Sequence, residues 1–339
     1  MKIAFYPFFS TQDKSKGQFR LQADSGVRLY TYCADRAVEA GWDTTLILPD
    51  PPQCSDSVTC QAKIKRIPHA VSVDNLDRRL HWNPKWLRQF EQYDVVCTQH
   101  EFLPYPLRCL NPKLKIVVEC GLRPETAYQA TRAMFALAYD AADAVHFNSQ
   151  TLADESGHRR KFVWKFGYDP RIKPEGLDRD FDVLFPGRAS ATNYTNHELF
   201  IEAMSNSGLR ARMTDPTNYL RKQGDYYKSF LFPSELSRNA YLVVLQRSRV
   251  VVSLATNGYA PYAFQEAVAS GCIAVCPRSK EYIEVLGEQW PYYCELTPDC
   301  IRFTVKLALQ YGMPDIVTRI NESSYSEAWN VAKHDLESL

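Results

Sequence analysis

The chain has 339 residues and a mass of 38.9 kDa, a length typical of two domains because a single hydrophobic core seldom grows beyond about 250–300 residues. Hydrophobic residues make up 45% and charged residues 23%, and 40 basic side chains against 39 acidic ones give a net charge of +1. These values exclude a disordered chain, a collagen-like repeat and a coiled coil, and they argue against a histone-like nucleic-acid binder.

The length of the apolar runs and the spacing of the cysteines bear on the location of the protein and on its chemistry. No apolar run approaches the ~18–20 residues that span a bilayer, and residues 1–5 enter an apolar strand with no secretory signal ahead of them. The ten cysteines include no Cys-x-x-Cys pair of the kind found in zinc and thioredoxin-like redox sites. We therefore predict buried free thiols, no transmembrane segment, no metal site and a cytoplasmic location.

Short apolar strands alternate with amphipathic helical stretches along the chain, which predicts βαβ units and a parallel sheet. A helix should open after Ser25-Gly26 and end at Gly41, a residue suited to the position just past a helix. In this half of the chain, strands are predicted over residues 2–8, 44–48, 94–98, 115–120 and 144–148. The stretch 167–176, with two prolines and two glycines, is the best candidate for a linker.

The βα alternation restarts after this linker. A strand is predicted over residues 181–185, and Thr195-Asn-His-Glu198 has the spacing of a capping box that opens a helix. Residues 249–277 predict a strand, a glycine-containing loop, a helix with Pro261 in its first turn, Gly271 just past its end, and another strand. A loop and helix start at the carboxyl edge of a parallel sheet is where such folds bind ligands, and the helix N–H groups favour a phosphate.

Glu266 lies about one turn into this predicted helix, close enough to reach a ribose or sugar hydroxyl. The alternative is that Glu266 is a solvated helix residue and that Gly258 is an ordinary turn glycine. The rest of the chain favours the first interpretation.

The segment resembles the C-terminal signature of the family 4 retaining glycosyltransferases of the GT-B fold. In that family an acidic-Gly-aromatic-Gly loop leads into a Glu-Ala-Met-Ala-type helix, a glycine and an apolar strand. Residues 257–260 (Asn-Gly-Tyr-Ala) and 266–271 (Glu-Ala-Val-Ala-Ser-Gly) occupy those places. Further similarities lie at Ser25-Gly26-Val27, 142–150, 182–188 with its Gly187-Arg188 end, and 325–339, so the resemblance covers nearly the whole chain.

The resemblance implies an α/β GT-B fold with two Rossmann-like αβα lobes and a cleft between them. Residues 1–170 would form the acceptor-binding lobe, 177–320 the nucleotide-sugar-binding lobe, and 321–339 a helix that crosses back to the first lobe. The implied activity is that of a retaining, metal-independent, hexosyltransferase-like enzyme. It would take a nucleotide-diphosphate sugar, a UDP-sugar such as UDP-glucose, as its donor and would need no cofactor.

The chemistry of such a transfer, together with positions in the predicted elements, suggests roles for particular residues. Arg188 would bind the diphosphate, Glu266 would hold the donor ribose or orient the sugar, and His100 and Glu101 would serve on the acceptor side. A surface arginine and a structural histidine are the alternatives for Arg188 and His100. The predicted donor-binding residues are Gly26, Gly187, Arg188, Asn193, Asn257, Gly258, Tyr259, Ala260, Tyr262, Ala263, Phe264, Gln265 and Glu266, and the acceptor-binding ones are Arg123, Glu125, Arg159, Arg160 and Lys161.

Two departures from the family pattern bear on substrate and on activity. The family has a pair of glutamates with seven residues between them, but the partner position of Glu266 holds Gly258, or Asn257 if one residue is inserted. The family also has a lysine a few residues after Gly-Arg, and residues 189–194 contain none. These departures motivate the alternative of a non-catalytic GT-B-like protein that binds a sugar or a nucleic acid.

A basic and aromatic stretch over residues 158–173 suggests an anionic acceptor or a peripheral contact with a membrane or nucleic acid. The alternative is a solvated helix end and linker whose aromatic side chains pack inside the protein. The predicted acceptor is a glycan, a lipid-linked glycan or a hydroxymethylated base in DNA, the substrate of similar bacteriophage enzymes. A sugar-nucleotide epimerase is a further alternative, but no acid/base set of carboxylates and histidines can be assembled for it.

Overall fold

Two parallel β-sheets, one in each half of the chain, organise the protein. The computed structural model describes residues 1–7, 25–49, 58–68, 71–73, 80–99, 102–120, 136–137, 139–173, 176–186, 195–215, 219–232, 236–256, 260–315 and 320–339. The chain divides into one unit of Met1–Trp164 with Trp329–Leu339 and a second unit of Lys165–Ala328. This mixed α/β architecture is the predicted fold class, while the assignment of acceptor and donor binding to separate lobes stays a prediction.

The first unit has a seven-stranded parallel sheet in the order β3-β2-β1-β6-β7-β8-β9, and β4 and β5 pair as a separate antiparallel hairpin. Its strands are β1 (Lys2–Tyr6), β2 (Asp43–Pro49), β3 (Lys63–Ile67), β4 (Val71–Val73), β5 (Leu80–Trp82), β6 (Val95–Thr98), β7 (Lys115–Cys120), β8 (Ala144–Phe147) and β9 (Lys161–Val163). Its helices are α1 (Ser25–Glu39), α2 (Pro84–Leu87), α3 (Pro104–Leu110) and α4 (Gln150–Glu155), with a 3-10 turn at Arg88–Phe90.

Helix α1 forms because its apolar side chains recur at the spacing of one helix face. Val27, Tyr30, Ala34 and Ala37 are all buried, and they follow the i, i+3, i+4 pattern of an amphipathic helix. The helix is followed by Gly41, whose φ of +80° is the left-handed conformation that the sequence predicted for it. The prediction of β7 over residues 115–120 is also confirmed, since this run of apolar and β-branched residues is buried at five of its six positions.

The second unit has a five-stranded parallel sheet in the order β11-β10-β12-β13-β14. Its strands are β10 (Phe181–Phe185), β11 (Ala211–Met213), β12 (Ser248–Val252), β13 (Ile273–Pro277) and β14 (Tyr293–Cys294). Its helices are α5 (His197–Met204), α6 (Tyr219–Gln223), α7 (Arg238–Gln246), α8 (Tyr262–Ala269), α9 (Lys280–Leu286) and α10 (Pro298–Tyr311), with 3-10 turns at Asp225–Ser229 and Ile320–Ser323. The last helix, α11 (Tyr325–Glu337), begins in this unit and ends in the first.

Local patterns in the second unit are confirmed with two corrections, the first being that Pro261 is the N-cap of α8 and does not lie in its first turn. Strand β10 has the predicted bounds, and Gly271 follows α8 with a φ of +84°. The capping box at Thr195 is wrong, because the residue that caps α5 is Asn196 and its side chain makes no capping hydrogen bond. The Asn196 amide instead donates a hydrogen bond to Leu254 O (2.8 Å), outside the helix.

The burial of the cysteines and the apolar character of the helices test two further predictions. All the cysteines in the described ranges are free thiols. Six of them are buried as predicted (Cys33, Cys97, Cys120, Cys272, Cys276 and Cys294), whereas Cys60 and Cys300 are half-buried and Cys109 is exposed. Within the described part of the chain, no helix combines the length and the apolar character that crossing a bilayer requires.

The strand orders fix where each sheet offers a binding crevice. In the first sheet, β1 lies between β2 and β6, and in the second, β10 lies between β11 and β12. The order therefore reverses beside β1 and beside β10, and ligands of open α/β sheets bind at the carboxyl ends of the strands at such a point. The connection from β12 to α8, which the sequence analysis singled out, lies at this point of the second sheet.

Candidate functional site

The described residues include part of the predicted site. Gly26, Ala260, Arg159, Arg160 and Lys161 belong to them, and so does the helical stretch 262–266. The other predicted site residues lie outside the described residues, and their assignments stay predictions: His100, Glu101, Arg123, Glu125, Gly187, Arg188, Asn193, Asn257, Gly258 and Tyr259.

The start of α8 is suited to an anion. The residue that caps it, Pro261, makes no side-chain capping hydrogen bond, and the first bond of the helix runs from Gln265 N to Pro261 O (3.1 Å). The N–H groups that open a helix have no partner within it, and the helix dipole places partial positive charge there. This helix start follows β12 at the reversal of the strand order, so it can take a phosphate at the carboxyl edge of the sheet.

Glu266 is buried and paired with an arginine. Its side chain is 2% exposed, and Arg238, the first residue of α7, donates from Nη1 to Oε2 (2.9 Å) and from Nη2 to Oε1 (2.6 Å). The alternative that Glu266 is a solvated helix residue is therefore wrong. A planar guanidinium that binds both carboxylate oxygens fixes the orientation of the carboxylate as well as its charge.

The electrostatics of Arg238 follow from this pair. Burial acts to lower the pKa of Arg238, but the hydrogen bonds and the negative charge of Glu266 outweigh it, so the pKa is raised above its ordinary value. The guanidinium also lies over the ring of Tyr241, 5.4 Å from its centroid. Arg238 was not predicted as a site residue, and its local signal is its position directly after Ser237, the N-cap of an amphipathic helix.

Two predicted donor residues of α8 have structural roles. Phe264 is fully buried and packs edge-on against Tyr282, with ring centroids 5.0 Å apart, so its side chain belongs to the core. The buried amide of Gln265 donates from Nε2 to Ala260 O (2.8 Å) and packs against Gly167. A Cβ at Gly167 would lie 2.6 Å from Gln265 Cδ and 2.8 Å from Ser323 Cβ, so only glycine fits there. Only the backbone of Phe264 could therefore contact a bound nucleotide sugar. Contact between the nucleotide sugar and the Gln265 amide is disfavoured because that amide is buried.

A second polar cluster lies at the carboxyl edge of the first sheet. Glu119, near the end of β7, is 7% exposed and accepts hydrogen bonds from Gln99 Nε2 (2.6 Å) and Asn148 Nδ2 (2.7 Å). Gly26, near the start of α1, lies against the same amide, since a Cβ there would be 2.8 Å from Gln99 Cδ. The structure therefore places Gly26 at the reversal of the first sheet and joins it to residues that the sequence analysis did not select.

The aromatic side chains of the basic and aromatic stretch, residues 158–173, are buried. Phe162, Trp164, Phe166 and Tyr168 are at most 7% exposed, so the alternative in which these aromatic side chains pack inside the protein is confirmed. These residues alternate along the chain with the period of a strand that has one buried face, a signal in the sequence from which their burial could have been predicted.

The three basic residues that open this stretch are exposed, and two of them bind the chain itself. Lys161 Nζ donates to the carbonyl groups of Ala153 (2.7 Å) and Ser156 (3.1 Å) at the end of α4. Arg160 Nη2 donates to Ser338 O (3.0 Å). Acceptor binding by Arg159, Arg160 and Lys161 stays a prediction.

Comparison with solved structures identifies the fold. The chain is similar to sucrose-phosphate synthase from Thermosynechococcus elongatus (TM-score 0.68, 13% identity, 99% of this chain and 97% of that one). It is also similar to HepE from Anabaena in complex with UDP-glucose (TM-score 0.66, 13% identity, 99% and 95%). A third similar structure is the lipopolysaccharide outer core galactosyltransferase WaaB in its apo form (TM-score 0.61, 12% identity, 100% and 99%).

These likenesses extend over nearly all of each chain, and at 12–13% identity they show a shared fold. The chain therefore has the GT-B fold of these glycosyltransferase structures, as the sequence resemblance predicted. No protein-family model matches the sequence, and no curated protein does.

Proposed function

We propose that the protein is a glycosyltransferase that moves a sugar from a nucleoside-diphosphate sugar, a UDP-sugar, to an acceptor hydroxyl. The observation that carries the proposal is the buried Glu266 carboxylate, which Arg238 holds on the helix that opens at the binding edge of the second sheet. In the GT-B fold this is the place of the donor nucleotide, and HepE was solved with UDP-glucose. The acceptor is a glycan, a lipid-linked glycan or a hydroxymethylated DNA base.

Sugar transfer requires two contributions from the carboxyl edge of the second sheet. The departing diphosphate gains negative charge as the sugar becomes oxocarbenium-like, and preorganised donors stabilise such charge best. The start of α8 would supply backbone N–H groups, and Arg188 is proposed to supply a cation. A carboxylate is a strong acceptor for ribose hydroxyl groups, and the two hydrogen bonds from Arg238 orient Glu266 for that role.

Donor binding can be measured first with UDP and common nucleotide sugars by thermal shift and then by calorimetry. We expect a selective rise in the melting temperature, since ligand at about 100 times its Kd stabilises the folded state by about 2.7 kcal/mol. The variant Glu266→Gln keeps the size of the side chain and loses its charge. It should bind UDP about 10-fold more weakly and discriminate less against 2′-deoxy-UDP, because hydrogen bonds to charged groups exceed neutral ones by about 1 kcal/mol or more.

The matched control is Glu288→Gln, because Glu288 pairs with Arg278 at the surface and is 67% exposed. It should bind UDP as the wild type does. A wild-type protein that responds to no nucleotide or nucleotide sugar would contradict the proposal and favour a non-catalytic binding protein.

We further propose retention of configuration without a metal ion. The helix start and Arg188 would then carry the charge that a divalent cation supplies in other transferases. We expect turnover of the donor to persist at full rate in excess EDTA, and NMR of the first-formed product should show the anomeric configuration of the donor. Loss of activity in EDTA that Mg²⁺ or Mn²⁺ restores, or an inverted product, would contradict this part.

A further inference from the structure

Asn196, the residue before α5, has a backbone conformation that needs an explanation. Its φ is 51° and its ψ is 37°, the left-handed region that non-glycine residues seldom occupy. At this position an asparagine is expected to cap the helix with its side chain, but its side chain makes no capping hydrogen bond. Its carbonyl oxygen accepts the first bond of α5 from Phe200 N (3.4 Å), so the helix holds its backbone while its side chain binds elsewhere.

The Asn196 amide instead crosses to the neighbouring strand end. Its Nδ2 donates to the carbonyl oxygen of Leu254 at 2.8 Å. Leu254 is fully buried and lies two residues after β12, while Asn196 lies in the connection that leaves β10. Since β10 and β12 are adjacent strands, this bond joins the two connections on either side of the reversal in strand order.

The residues that flank Asn196 keep it in place. Thr195 and His197 are 6% and 2% exposed, and Thr195 Oγ1 lies 3.4 Å from His197 Nδ1. The His197 ring packs edge-on against Tyr219, with centroids 6.2 Å apart. The backbone at Asn196 is thus fixed on both sides, and its amide is aimed at one buried carbonyl group.

Both connections that this bond joins belong to the proposed donor site. Arg188 and Asn193 precede Asn196 in the first, and Ala260 and the start of α8 follow Leu254 in the second. We propose that Asn196 is a positioning residue for the donor diphosphate, because its hydrogen bond sets the spacing between the two connections that would bind the phosphates. This inference rests on the proposed function and extends it to a residue that does not itself touch the nucleotide.

The test separates the backbone conformation from the hydrogen bond. Asn196→Gly keeps the left-handed conformation at no steric cost and loses the amide. Asn196→Asp keeps the side-chain shape and replaces the donor by an acceptor, which faces the Leu254 carbonyl. We expect about 10-fold weaker UDP binding in Asn196→Gly and a larger loss in Asn196→Asp, while the affinity for uridine, measured by NMR titration, stays within about twofold.

A matched control lies at the other end of the same helix. Asn206 is also left-handed, with a φ of 58°, and it is exposed beyond the C-terminal end of α5. Asn206→Gly and Asn206→Asp should leave the affinities for both UDP and uridine unchanged.

The ratio of UDP affinity to uridine affinity decides the outcome, because a general loss of structure would weaken both ligands. Unchanged UDP binding in Asn196→Asp or Asn196→Gly, or an equal loss for UDP and uridine, would overturn the positioning role. Asn196→Gly keeps the inference testable if Asn196→Asp does not fold. A wild-type protein that binds neither UDP nor uridine overturns the proposed function itself, a result distinct from an insensitive Asn196.

Discussion

Replacing Arg238 by methionine is expected to lower the free energy of unfolding by about 3–5 kcal/mol, the cost of removing one partner of a buried ion pair. Glu266 is 2% exposed, and the substitution takes away the guanidinium that binds both of its carboxylate oxygens, at 2.6 and 2.9 Å. Methionine fills much of the volume of the arginine stem, so the loss reports the charge rather than a cavity. Urea unfolding at pH 7.5, followed by circular dichroism, measures it.

The double variant Arg238→Met, Glu266→Met should recover most of this loss, because a buried ion pair and a packed apolar pair of similar volume differ little in stability. The exposed pair of Arg278 and Glu288, in the same unit, provides the control. Arg278→Met should cost about 0.2–1 kcal/mol, the range of exposed ion pairs. Equal losses in Arg238→Met and Arg278→Met, or a double variant less stable than Arg238→Met alone, would contradict the buried pair.

Elements that local chemistry determines could be predicted from the sequence. The bounds of β7 and β10 were found because each is a short apolar run between polar or turn residues. Gly41 and Gly271 mark helix ends because a positive φ is required there and glycine supplies it. The position of Glu266 in α8 followed from the same local pattern, and so did its proximity to a ligand-binding sheet edge.

Contacts between distant segments could not be predicted. Glu266 and Arg238 are 28 residues apart, and their pairing depends on how α7, which precedes β12, packs against α8, which follows it. The Asn196 bond spans 58 residues and overrides a capping box that is locally plausible. In both cases a side chain that a local rule assigns to solvent or to a helix cap instead binds a residue from another segment of the chain, which only the fold brings close.

His146 and Glu119 lie close together in the first sheet, and burial determines the charge of the histidine. His146 on β8 is fully buried and stacks on Trp164, with centroids 4.4 Å apart. Its Nε2 lies 3.7 Å from Glu119 Oε2, too far for a hydrogen bond, and neither ring nitrogen has a hydrogen-bond partner among the described residues. Burial lowers the pKa of His146 to about 3. The ring is therefore neutral at pH 7, and its proximity to Glu119 is not an ion pair.

The protein is expected to lose about 2 kcal/mol of stability through His146 when the pH falls from 7.5 to 5.0. The unfolded chain takes up a proton below its ordinary pKa of about 6.5, whereas the folded chain does not until the pH nears 3. The contribution is therefore complete above about pH 6.5 and is lost as the pH falls. His146→Phe, which keeps an aromatic ring on Trp164, should show a fall between pH 7.5 and 5.0 that is about 2 kcal/mol smaller than that of the wild type.

Urea unfolding of both proteins at the two pH values makes this comparison, and the difference between them cancels the other titrating groups. His334→Gln, at an exposed histidine of α11, is the control for the loss of an imidazole. An ion pair with Glu119 would raise the pKa of His146 and reverse the sign, because the wild type would then gain stability relative to His146→Phe at pH 5.0. The direction of the difference thus shows whether burial or the neighbouring carboxylate determines the charge of this ring, and the 3.7 Å separation favours burial.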